Sequence, residues 1–141
     1  MPLAQVLGLE AQPRGGLIET DIGEWQDQRI KALNRTKLWK LAQAAPSRMR
    51  FPDGETFADA QHRICQELET IARLHDPKDV VACVSHSDPI KLAVAYYLGM
   101  PLDFFQRLSI APASLTTLYL SEAGSHLLRL NYEISISLPK S

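Results

Sequence analysis

The stretch Asp79-Val80-Val81-Ala82-Cys83-Val84-Ser85-His86 constrains this chain more than any other. It is continuously apolar rather than alternating, the pattern of a strand covered on both faces, and such strands sit inside parallel sheets with helices above and below. It runs straight into Ser87-Asp88-Pro89-Ile90-Lys91. Asp88 reads as the cap of a helix whose first position is Pro89, and Ile90, Ala93, Val94, Tyr97 and Leu98 recur at helical spacing until Gly99 and Pro101 stop it. Strand, turn and capped helix make half of a βαβ unit.

Other elements follow from period. Thr56 with Asp59 forms a capping-box pattern, and Phe57, Ala60, Ile64, Leu68 and Ile71 follow as one apolar stripe, which predicts a helix from Thr56 to His75. Asp27 to Ala44 reads as helix in two pieces, because Ile30 and Leu33 do not continue in phase into Leu38 and Leu41. Leu115–Leu120 and His126–Asn131 are β-rich runs around Ser121–Ser125, a hairpin with a loose loop. The sum is an α/β chain, a three-layer α/β/α sandwich on a mixed sheet, expected as a single domain over residues 1–141. One feature stands against the rest: the first 78 residues hold no second run as apolar as Val80–Val84, so that strand lacks an obvious neighbour.

Composition excludes several functions. With 45% apolar residues the chain can bury a core, which a disordered tail cannot. Fifteen Lys and Arg against sixteen Asp and Glu, with no basic block, leave no electrostatic footprint for nucleic acid. The longest apolar run, around Ala93 to Leu98, is far short of the roughly 20 residues that span a bilayer, so no membrane partner and a cytoplasmic location are expected. Neither Cys65 nor Cys83 belongs to a set of three or four Cys and His residues at metal-site spacing, so no metal or other cofactor is expected; both read as small, reduced core residues.

Reactive groups in open α/β sheets gather where strand ends meet helix N-termini, and His86 stands there, beside free N–H groups that favour a phosphate. His62, facing away from the apolar stripe, His75 at a helix end and His126 in the hairpin loop read as structural. Leu17–Trp25 sets several acids around Gly23 and Trp25 without regular period, which reads either as a setting for a general acid or as a solvated loop anchored by Trp25. Pro52-Asp53-Gly54-Glu55-Thr56 is a turn, with Glu55 an acid near the helix start.

Taken in order, Glu19 through Trp25, Pro52–Thr56 opening a helix, Val84–Lys91, and Phe105-Gln106-Arg107-Leu108 with Pro112-Ala113-Ser114 resemble the histidine phosphatase superfamily, also called phosphoglycerate mutase-like. The resemblance covers nearly the whole chain. It implies that His86 is the second active-site histidine, which helps hold the phosphoryl group, and that Glu19 is the carboxylate that protonates the leaving oxygen. Ser87 and Asp88 would offer backbone N–H groups to phosphate, and Glu55 matches an acidic position near the pocket. The expected partner is a small phosphorylated substrate or phosphate itself.

The departure is equally plain. Family members open with a strand ending in Arg-His-Gly, whose histidine becomes phosphorylated, and a second strand brings another phosphate-binding arginine; this sequence contains neither. By resemblance it corresponds to the C-terminal two thirds of the family fold. Two readings result. One is part of a phosphatase, inactive alone for want of the nucleophile; the short stretch from Trp25 to Phe51 argues against a mutase. The other is a non-catalytic member used as a binding or dimerisation module. By resemblance the absent first strand would lie beside Val80–Val84, so either two chains pair there as a homodimer or the hairpin moves in to close the gap.

Overall fold

The computed structural model describes residues 2–133. In chain order the helices are α1 (Pro2–Leu7), α2 (Ile30–Leu33), α3 (Lys37–Ala44), α4 (Phe57–Arg73) and α5 (Ser87–Tyr97), with short 3-10 turns between them, followed by β1 (Leu115–Ser121) and β2 (Gly124–Tyr132).

The best-specified element is α4. Thr56 stands just outside it in an extended conformation; its hydroxyl accepts the Asp59 N–H at 3.0 Å, while the Asp59 carboxylate accepts the Thr56 N–H at 3.1 Å. This reciprocal cap satisfies two donors that the first turn leaves without partners. Phe57, Ala60, Ile64 and Ile71 form the buried stripe, joined by Cys65. Burial, then the nearby Glu69, pushes the Cys65 thiol up to about 12, so it stays protonated and inert. The two-piece reading of residues 27–44 agrees with α2 and α3.

Against α4 packs α5, which buries Leu92, Ala93, Val94 and Ala95; Gln61 Nε2 crosses over to donate to the Leu92 carbonyl at 3.0 Å. A chain of aromatic rings fills the space around them. Trp25 stacks on Trp39 and meets Phe51 edge-on at 5.2 Å, Phe51 meets Phe57 at 5.1 Å, and Phe57 meets Phe105 at 4.9 Å between centroids.

Three readings need correction. First, α5 begins at Ser87 rather than Pro89: the Ile90 N–H already donates to the His86 carbonyl at 3.1 Å, which makes His86 the capping residue, without a side-chain cap. Second, the hairpin turns tightly between the facing residues Ser121 and Gly124, and His126 lies within β2 opposite Tyr119 rather than in a loop. Third, residues 79–86 carry no ladder hydrogen bonds; among the described residues the sheet is β1 and β2 alone, antiparallel. Val80 is 96% and Val84 68% exposed, and Cys83 is exposed rather than a core residue. A strand owes its stability to its neighbours. Among the described residues none comes from positions 2–78, and the hairpin does not close the gap: its strands pair with each other, and Ser125 Oγ instead donates to the Tyr97 carbonyl at the end of α5.

Candidate active site

The irregular segment Gly16–Asp21 is held in place by side chains from two directions. From one side, Ser85 Oγ donates to the Leu17 carbonyl at 2.7 Å, which brings the turn preceding α5 against it. From the other, Arg63 on α4 donates to the carbonyls of Gly16 at 3.0 Å, Ile18 at 3.1 Å and Glu19 at 3.2 Å.

Below it, two turns interlock. The Glu24 N–H donates to the Pro52 carbonyl and the Glu55 N–H to the Asp21 carbonyl, at 2.9 and 3.0 Å. Gly23 has φ of +52°, and a Cβ there would run into the Pro52 carbonyl oxygen, so both conformation and space require glycine. Gly54 is as tight, with the Asp21 carbonyl oxygen 2.5 Å from where its Cβ would stand.

The result is that Glu19 and His86 meet. Glu19 Oε2 lies 3.8 Å from His86 Nδ1, and Glu19 Oε1 accepts the Thr20 N–H at 2.9 Å. Both side chains are about half exposed, at 49% and 54%. A hollow of about 300 Å³ lined by Ile22, Trp25, Trp39, Phe57 and Asp88 among others opens elsewhere, and neither Glu19 nor His86 is in its wall. Ser87 and Asp88 follow at the start of the eleven-residue α5, and among the described residues no acceptor stands on either N–H. The arrangement joins a carboxylate, an imidazole and an anion-favouring helix start on an accessible surface.

The side chains of Asp88 and Glu55 are engaged elsewhere. The Asp88 carboxylate pairs with Lys91 Nζ at 2.7 Å; this lysine is buried, also donates to Gln106 and lies over the Phe105 ring. Glu55 Oε1 accepts from Arg63 Nη2 at 2.6 Å and from the Asp21 N–H at 2.9 Å, while Oε2 faces Arg63 Nε at 3.4 Å. Its carboxylate therefore braces the Glu19 segment. Sequence reasoning missed Arg63 itself. The available signal was its place beside Ile64, at the border between the buried stripe and the exposed face of α4.

The model of the histidine phosphatase superfamily (branch 1) matches residues 1–133. The chain belongs to this superfamily. Among curated proteins it is 25% identical, over 133 residues, to phosphoserine phosphatase 1 of Hydrogenobacter thermophilus; the match spans 93% of this chain and 63% of that protein. Solved structures share the fold. YhfR of Bacillus stearothermophilus superposes with a TM-score of 0.81 at 20% identity, covering 94% of this chain and 68% of that one. A mutant phosphoserine phosphatase from Entamoeba histolytica in complex with phosphoserine gives 0.78 at 21%, over 91% and 66%. Mycobacterial glucosyl-3-phosphoglycerate phosphatase with inorganic phosphate gives 0.73 at 22%, over 92% and 68%. The histidine phosphatase fold is thus an α/β fold here too, and no helix among the described residues is long and apolar enough to cross a membrane.

Proposed function

We propose that this histidine phosphatase chain, a single domain over residues 1–141, carries the acid and the second histidine of a phosphomonoesterase site and is inactive alone. The observation that carries the reading is the approach of the Glu19 carboxylate to the His86 imidazole, 3.8 Å apart beside the N–H groups of Ser87 and Asp88. In this reading His86 and those N–H groups hold the phosphoryl oxygens. The P–O bond to the leaving group breaks as a P–N bond forms on a nucleophilic histidine, Glu19 gives its proton to the leaving oxygen, and water then releases phosphate. Small phosphate monoesters are the substrate class, a choice supported by relatives named for phosphoserine and a sugar phosphoglycerate. The nucleophile is what this sequence does not supply. His62 is exposed on α4, His75 lies 3.5 Å from Asp79 and His126 sits in β2 opposite Tyr119, and this reading gives none of them the role. A cytoplasmic location belongs to the same reading.

The test is a panel of phosphomonoesters, phosphoserine included, offered to the chain as it stands and to a version extended at its N-terminus by the family's Arg-His-Gly strand and second arginine strand. Turnover is expected in the extended version only, reduced about 10²–10⁴-fold by Glu19→Gln. Turnover by the chain alone, or an extended enzyme indifferent to both Glu19→Gln and His86→Ala, would overturn it.

The bare segment Val80–Val84 favours a second reading, a non-catalytic member that pairs as a homodimer through this edge. Sedimentation decides it: a dimer at micromolar concentration that Val81→Lys dissociates supports pairing there, and a monomer refutes it.

A further inference from the structure

We infer that Arg63 is a positioning residue for Glu19: it sets the distance between the acid and His86 without touching either side chain's reacting end. This rests on the reading of Glu19 and His86 as the chemical pair. A guanidinium has five N–H donors in a fixed plane. Here they meet five acceptors. Nε and one Nη2 hydrogen face the two Glu55 oxygens, at 3.4 and 2.6 Å, the other Nη2 hydrogen faces the Glu19 carbonyl at 3.2 Å, and Nη1 serves the Gly16 and Ile18 carbonyls at 3.0 and 3.1 Å. One side chain on a regular helix thereby fixes three of four consecutive peptide carbonyls in an otherwise irregular segment. Glu55 extends the clamp one step further, since the oxygen it offers Arg63 also accepts the Asp21 N–H at 2.9 Å. Glu19 is thus gripped at its own carbonyl and two residues later.

The geometry also explains why the residue is arginine. Lysine has the charge but only three donors around one nitrogen, and it cannot span Glu55 and three carbonyls at once. The opposite end of the pair is tied to the same segment by Ser85 Oγ on the Leu17 carbonyl, one residue before His86. Two anchors on one loop, from α4 and from the turn into α5, bring the carboxylate and the imidazole to each other. Glu55 acquires a role by the same argument: it orients Arg63 and is not itself a phosphate ligand.

The experiment reads His86 directly in the chain as it exists. At fixed pH the imidazole CH cross-peak of His86 is followed by NMR in the parent, Glu19→Gln, Arg63→Met, Arg63→Lys and the Glu19→Gln/Arg63→Met double variant, with His62, His75 and His126 as controls. Expected are a His86 shift in Glu19→Gln, a shift in the same direction in Arg63→Met that Arg63→Lys reverses only in part, no further change in the double variant, and controls that stay in place. If Glu19→Gln moves His86 but neither Arg63 variant does, the positioning role is wrong while the pair stands. If Glu19→Gln leaves His86 unmoved, the pair itself fails. Equal Arg63→Met shifts with and without Glu19, or loss of all four histidine peaks in both Arg63 variants, would assign Arg63 to the fold at large and overturn the inference.

Discussion

Phe57 and Val80 are both large apolar residues at the start of segments that the sequence marks as regular, yet Phe57 is 2% exposed and Val80 96%. The first opens α4, whose backbone hydrogen bonds are internal and whose stripe meets α5 and a row of rings. The second belongs to residues 79–86, whose backbone can be satisfied only by a neighbour. A helix needs a partner for one face; a buried strand needs partners on both edges and both faces. The same hydrophobicity therefore produces a finished core in one region and an unfinished surface in the other.

This contrast can be broken by substitution. Phe57→Ala should destabilise the chain by about 3–5 kcal/mol in urea unfolding, whereas Val80→Ser should stay within about 0.5 kcal/mol. Equal costs would mean that Val80 is covered in solution. The interlocked turns belong with the finished region, so Gly23→Ala, which adds a Cβ where φ is +52° and the Pro52 carbonyl closes the space, should cost more than about 1 kcal/mol. Thr56→Ala should cost about 1 kcal/mol through loss of the α4 cap.

The cap also gives the region an acid dependence. The hydrogen bond with the Thr56 side chain, then that with its backbone, then Arg50 hold the Asp59 carboxyl below its usual range. Its contribution is fully present above the unfolded value of ~3.9 and fades as pH falls through the lower folded one, so Asp59→Asn should lose this component of acid sensitivity below about pH 4. The smallest effect is expected at Thr20, buried with a hydroxyl that has no partner among the described residues. Thr20→Val should leave stability unchanged or slightly raised by the same unfolding measurement.

What was legible in the sequence divides along the same line. The α4 stripe and its Thr56–Asp59 cap are local patterns and appeared where the spacing put them. That Glu19 and His86 lie near each other came from family resemblance, because nothing at a separation of 67 residues is written in period or propensity. The strand at Val80–Val84 was misread for a physical reason: apolar continuity reports a preference for burial, not the presence of whatever does the burying. The start of α5 was misplaced by two residues because Asp88, a good capping type, is drawn instead to the buried Lys91. Arg63 was missed because its five hydrogen bonds, three of them to carbonyls more than 40 residues away, leave no trace in the spacing of apolar residues beyond its place at the border of the stripe.

The two interlocked turns have a consequence for how this chain can vary. Residues 26–50 leave at Trp25 and return at Phe51, whose rings touch at 5.2 Å, so the excursion begins and ends at a fixed clasp. Doubling the length of such a closed excursion adds only ~0.6 kcal/mol of closure entropy. The exposed turns of the segment carrying α2 and α3 can therefore change length at small cost while the clasp keeps Glu19 and α4 where they are, provided that Trp39 still stacks on Trp25 and the buried Ala42 and Met49 are kept.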